Sequence, residues 1–96
     1  MKVYISGPIT GTIDYMERFA EAQKELEAKG YEVVNPALIN SNLPKCTTWD
    51  EYMRVSLVLL DLCDAIYMLK GWADSNGASL EYFTAKKSRI KIIEEL

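Results

Sequence analysis

Histidine is absent from this sequence, and cysteine occurs only as Cys46 and Cys63. That inventory argues against a zinc centre, a histidine-based triad and a disulfide scaffold. Any catalysis must therefore rest on carboxylates, hydroxyls, tyrosines or backbone groups, and no metal or cofactor is expected. One carboxylate stands out. In the stretch NGASLEYFTAKK, Ala78, Tyr82 and Ala85 recur at i, i+4 and i+7, and Glu81 at i+3 falls on the same stripe. Two readings fit it. Partly desolvated beside a helix N-terminus, it is an anion held by fixed dipoles, which suits a nucleophile. Alternatively it is an ordinary helix charge reaching solvent or pairing with lysine.

The other candidates each carry a structural reading beside a chemical one. Asp74, Ser75 and Asn76 precede that helix and serve equally as N-cap and turn residues. Ser56 is the lone polar residue of an apolar stripe, where a hydroxyl commonly bonds back to its own helix. Tyr4 lies on a strand, where a core tyrosine is usual. Gly7 and Gly11 would let backbone N–H groups approach an anion, although GPITG is no phosphate-loop signature. Trp72 in a polar loop marks ligand stacking or a subunit contact.

The elements that must position these residues follow from pattern. Lys2 to Ser6 reads as a first strand ended by Gly7-Pro8. Asp14 to Lys29 reads as a helix with Asp14 as cap, a buried face of Tyr15, Phe19, Ala22 and Leu26, and Gly30 at its end. Tyr31 to Val34 is a second strand, closed by Asn35-Pro36. Ala37 to Cys46 is irregular, with room for one helical turn. Thr48 to Glu51 matches a capping box and opens a helix whose stripe is Tyr52, Val55, Ser56, Leu59, Leu60 and Cys63. Ala65 to Leu69 is a core strand, Lys70 to Asn76 a loop, Gly77 to Lys87 a helix, and Arg89 to Ile93 a last strand.

This order of strands and helices predicts an α/β, Rossmann-like or flavodoxin-like three-layer sandwich. Its sheet is four-stranded and parallel, in the order 2-1-3-4. The switch point lies between strands one and three, so SGPITG and KGWADSNG meet at one sheet edge. The 96 residues are read as a single domain, 1–96. A net charge of −3 without a basic cluster argues against nucleic acid as a partner. No membrane span or signal peptide is apparent, and a cytoplasmic location is expected.

Taken together, YISGPITG, GYEVVNP, the WDEYMR helix, CDAIYMLKGW and SNGASLEYFTAK resemble the nucleoside 2-deoxyribosyltransferase-like superfamily, in particular its small phage and bacterial branch. The resemblance spans nearly the whole chain, and its specific part is CDAIYML, then GW, then S-x-G-A-x-x-E. It implies cleavage of the N-glycosidic bond of a deoxynucleoside or its monophosphate, with transfer to another base or to water. It implies Glu81 as the nucleophile, Tyr4 as the tyrosine that orients it, and Gly7 lining the sugar pocket. Ser75 falls where monophosphate hydrolases place a serine toward phosphate and transferases an acid. Gly77, Ser56, Trp72 and Asp74 complete the expected substrate-binding set. Two positions depart from the pattern: Ser56 stands where the characterised enzymes have an aspartate, and Pro8 and Thr10 where the hydrolases place Ser and Arg. Asp74 is the acid available to protonate the leaving base. The alternative is a catalytically weak nucleotide-binding module of the same fold. The resemblance also implies a homodimer or larger assembly, with the exposed Trp49 or Trp72 covered by a second copy.

Overall fold

The computed structural model describes residues 1–96. Its elements are β1 (Lys2–Ser6), α1 (Tyr15–Ala28), β2 (Glu32–Val34), α2 (Pro36–Asn40), α3 (Trp49–Asp61), β3 (Ala65–Met68), a 3-10 turn at Trp72–Asp74, α4 (Asn76–Lys87) and β4 (Lys91–Glu94). The strands form one parallel sheet in the expected order β2-β1-β3-β4. In the register of the two central strands, Tyr4 lies opposite Ile66 and Ser6 opposite Met68.

Period-two alternation divides the core into two halves. Val3 and Ile5 of β1, with Ala65 and Tyr67 of β3, face α1 through Phe19, Ala22 and Leu26. Tyr4, Ile66 and Met68 face the other way, toward Leu60, Cys63, Ala78 and Ala85. Helices on both faces explain why β3 reads as an unbroken apolar run with every residue buried. No helix is long and apolar enough to cross a membrane.

Local signals govern the helix ends. Thr48 accepts a hydrogen bond from Glu51 N–H, and the Glu51 carboxylate accepts one from Thr48 N–H, so the capping box is complete. After α1, Gly30 at φ +92° closes a Schellman turn, with Tyr31 N–H donating to Leu26 O and Gly30 N–H to Glu27 O. The corresponding turn after α4 uses Arg89 at φ +60°, a left-handed conformation without glycine.

The one helical turn allowed within the irregular stretch is α2, Pro36–Asn40, formed because Asn35 accepts from Leu38 N–H at 3.2 Å and Pro36 supplies a preset first-turn φ. Other expectations shift. Asp14 occupies the N-cap of α1, but its side chain makes no capping bond. Helix α4 begins one residue early, since Ser75 takes the cap and accepts from Ala78 N–H at 3.3 Å. The last strand is Lys91–Glu94 rather than 89–93, because Arg89 is consumed by the turn.

Gly7, directly after β1, is enclosed. A Cβ there would stand 2.8 Å from both Cβ and Cδ1 of Leu69, so the strand end and the start of the next loop could not both hold their places. Gly7→Ala should lower unfolding stability by about 1–3 kcal/mol, measured from the denaturant midpoint. An unchanged midpoint would show that the Leu69 contact yields without cost.

Candidate active site

The carboxylate of Glu81 is buried where α4 crosses the carboxyl end of β1. Two hydroxyls of that strand reach it. Tyr4 donates to Oε2, and Ser6 donates to Oε1 at 2.6 Å. Tyr4 and Ser6 are two residues apart, so the pleat turns both toward α4 while Val3 and Ile5 enter the opposite core. The small neighbours Ala78 and Ala85, both fully buried, let the helix backbone approach the sheet closely enough for these bonds.

Burial pushes the Glu81 pKa up to about 7, while the hydrogen bonds from Ser6 and Tyr4 pull it down. The Tyr4 hydroxyl is held well above the ordinary phenol value, first by burial and then by the adjacent Glu81 charge. The phenol therefore keeps its proton and acts as a donor. At neutral pH the Glu81 carboxyl is divided between its charged and neutral forms.

Beside this carboxylate opens a cavity of about 850 Å³, within the range of small-molecule sites. Tyr15 and Phe19 of α1 and Trp49 and Tyr52 of α3 contribute aromatic walls. The structure brings Tyr4, Gly7, Ser56, Asp74, Ser75, Gly77 and Glu81 together on its lining, from β1, α3 and the start of α4. Gly77 leaves room for Met53 and Trp49, since a Cβ there would lie 3.3 Å from Met53 Sδ. Ser56 is buried and is not bonded to its own helix carbonyl; it accepts from Asn40 Nδ2 at 3.2 Å.

Trp72 lies elsewhere. Its indole stacks on Tyr82 at 4.4 Å, and Nε1 donates to Glu94 at 3.2 Å, so its flat face and its one donor are both occupied outside the cavity. It braces the turn that leads into α4. That turn is further tied by Lys70, whose N–H donates to Glu95 and whose carbonyl accepts from Arg18.

Two residues of the site, Ser6 and Asn40, are not singled out by the sequence analysis. Ser6, which bonds Glu81 from behind the cavity lining, could have been found, because alternation puts it on the face of Tyr4. Asn40 could not, since an asparagine among Asn35, Ser41 and Asn42 reads as turn chemistry. Its Oδ1 is buried without a hydrogen-bond partner while Nδ2 holds Ser56, which leaves an acceptor unsatisfied beside the cavity. No three His, Cys, Asp or Glu side chains converge in the structure, and no residue set is assigned to a metal.

Residues 1–94 match the family model described as a domain of unknown function, DUF4406. The chain belongs to this family. No curated protein matches the sequence. Among solved structures, a 2-deoxyribosyltransferase from the psychrotolerant bacterium Bacillus psychrosaccharolyticus is similar, with a TM-score of 0.78 and 13% identity. The match covers 98% of this chain and 71% of that one. At this identity the likeness is one of fold: the DUF4406 chain shares the α/β sheet and its helices with that enzyme.

The raised Glu81 pKa has a consequence for stability. Its folded value, about 7, exceeds the ordinary 4.5, so the folded state holds the proton more tightly. The stabilisation is complete below the unfolded value and is lost as pH rises through 7. The integrated effect is about 3 kcal/mol. Unfolding free energy should therefore fall between pH 5 and pH 8 in the wild-type protein and stay nearly level in Glu81→Gln. Parallel pH profiles for the two proteins would contradict the assignment.

Proposed function

We propose that this DUF4406 protein is a nucleoside or nucleotide 2-deoxyribosyltransferase or N-glycosidase with Glu81 as its nucleophile. The observation that carries the reading is the Glu81 carboxylate, buried, held by two hydroxyls of β1, and placed on the wall of an aromatic-lined cavity. The fold likeness to a 2-deoxyribosyltransferase supports it.

In the mechanism that follows, one Glu81 oxygen attacks C1′ of the 2-deoxyribose. The C1′–N bond breaks, and its electron pair leaves with the base. Asp74, on the cavity lining, is the acid available to protonate that base. The product is a glycosyl ester on Glu81, formed through an oxocarbenium-like transition state as in retaining glycoside chemistry. A second base or water then attacks C1′, gives its proton to the Asp74 carboxylate left by the first step, and returns the Glu81 carboxylate. Tyr4 and Ser6 fix the carboxylate's direction and stabilise it as the anion on departure. A second copy of the chain is the proposed protein partner.

A second reading has its own support. Ser56 stands where the resemblance implies an aspartate, and it bonds to Asn40 instead. A binding module for nucleotide-like ligands would keep the cavity without that carboxylate.

A panel of 2′-deoxynucleosides and their 5′-monophosphates, each with and without an acceptor base, should show base release or exchange by chromatography. Glu81→Gln should reduce the rate by about a thousandfold or more, and Ser6→Ala by a smaller factor. Intact-mass measurement without acceptor should show a deoxyribosyl adduct on the wild-type protein alone. Undiminished turnover by Glu81→Gln would reject the nucleophile. Saturable binding with no turnover would select the module.

A further inference from the structure

The hydroxyl protons around Glu81 can be followed one by one. Tyr4 gives its proton to a bond with Oε2, and Ser6 gives its own to Oε1. Asn40 Nδ2, on α2, donates to Ser56 Oγ at 3.2 Å. Ser56 is the acceptor in that bond, so its own proton remains to be placed. The residue is 4% exposed and does not bond back to its helix, and a buried hydroxyl proton without an acceptor is costly. Ser56 sits one turn before Leu60, which packs in the same cluster as Tyr4. The Tyr4 oxygen, having donated to Glu81, still has lone pairs with which to accept. Burial first, and then the Glu81 charge, hold the phenol proton in place; hydrogen bonding by Ser56 works the other way, as a donor to the phenol oxygen does.

We propose that Ser56 donates to the Tyr4 oxygen and is thereby a positioning residue for Glu81, with Asn40 at the root of a one-way chain of hydrogen bonds that runs Asn40, Ser56, Tyr4, Glu81. Each donation polarises the next, so the bond from Tyr4 to the carboxylate is strengthened from two residues away. The Asn40 amide sets the direction. With Nδ2 on Ser56, the serine proton is released toward Tyr4; with the amide reversed, Oδ1 would claim that proton. The direction of the chain thus gives a reason for leaving Oδ1 buried and unpartnered. The catalytic consequence rests on the nucleophile reading above: a stronger Tyr4 bond keeps more of Glu81 as the attacking anion. The other titratable groups around it are Tyr15 of α1, Tyr52 of α3 and Asp74 before α4 on the cavity lining, and the Cys63 thiol packed with Tyr4; no lysine or arginine lines the cavity. A change confined to Ser56 leaves all of these in place.

Carbon-13 NMR of the glutamate carboxyls on the intact chain reads the titration directly, with the Glu81 resonance identified by its loss in Glu81→Gln. The wild-type midpoint is expected near 7. Ser56→Ala should move it upward by about half a pH unit, and Asn40→Ala by less. In a Tyr4→Phe background, where the chain is cut, Ser56→Ala should move nothing. The buried Tyr4 hydroxyl proton should shift upfield in Ser56→Ala as its bond to Glu81 weakens, a readout that does not depend on Tyr4→Phe folding. An unmoved midpoint in Ser56→Ala, or an equal movement with and without the Tyr4 hydroxyl, would overturn the proposal. With a 2′-deoxynucleoside as substrate, kcat of Ser56→Ala at pH 7 should fall about twofold at nearly unchanged KM, and the acidic limb of the rate should move with the NMR midpoint. A higher KM at unchanged kcat would mark Ser56 as a ligand contact and overturn the positioning role. A midpoint that moves as expected in a protein that turns over no nucleoside or nucleotide would support the chain and reject the N-glycosidic reading.

Discussion

The constraint on which the site depends is the burial of one carboxylate between a helix and a sheet. An unpartnered ion in that position would cost several kcal/mol, or would simply take a proton. Here the cost is offset by two hydroxyl donors from alternate positions of β1. Those bonds require α4 to lie close to the strand, and closeness requires small side chains. Ala78 and Ala85, one turn to either side of Glu81, meet that requirement. Neither the carboxylate nor the alanines would make sense alone: the first needs the approach, and the second leaves a gap that only the carboxylate and its hydroxyls fill.

Topology then decides what the carboxylate can reach. Because β1 lies between β2 and β3, the chain leaves it toward α1 on one face and returns through α3 and α4 on the other. The loops diverge above the carboxyl ends of β1 and β3, and the cavity occupies the opening. Its walls come from separate elements, so its shape depends on how the loop after β3 is fixed. Trp72 does this by stacking on Tyr82 while bonding Glu94, and Lys70 does it by bonding Glu95 through its N–H and Arg18 through its carbonyl. A tryptophan in a polar loop invites a ligand-stacking role. Here the last strand and α4 claim both its face and its donor.

How much of this was legible follows from what each signal measures. Strand order was legible because β-α-β connections constrain the crossovers, and the capping box Thr48 to Glu51 marked the start of α3 to the residue. Glu81 was legible because helical phase alone put it on the buried stripe. Ser6 needed only the period-two argument carried two residues past Tyr4. Asn40 lay beyond sequence reasoning, since α2 is a single capped turn whose orientation comes from packing against α1 and α3. The same holds for Trp72: sequence gives the residue's chemistry, and only the fold supplies the competing partners.

The two hydroxyls do more than aim the carboxylate. Burial alone would drive Glu81 further toward the neutral acid, and it is the bonds from Ser6 and Tyr4 that bring its pKa back to about 7. At that value the group is basic enough to be a good oxygen nucleophile, yet still substantially ionised near neutral pH. A fully exposed glutamate would be ionised but weakly nucleophilic and mobile. A buried one without donors would be positioned but protonated. Tyr4 suits this role because its own proton is held so firmly that it cannot pass to Glu81 and exchange their charges. The β1 hydroxyls thus set the position of the carboxylate and its ionised fraction by the same bonds.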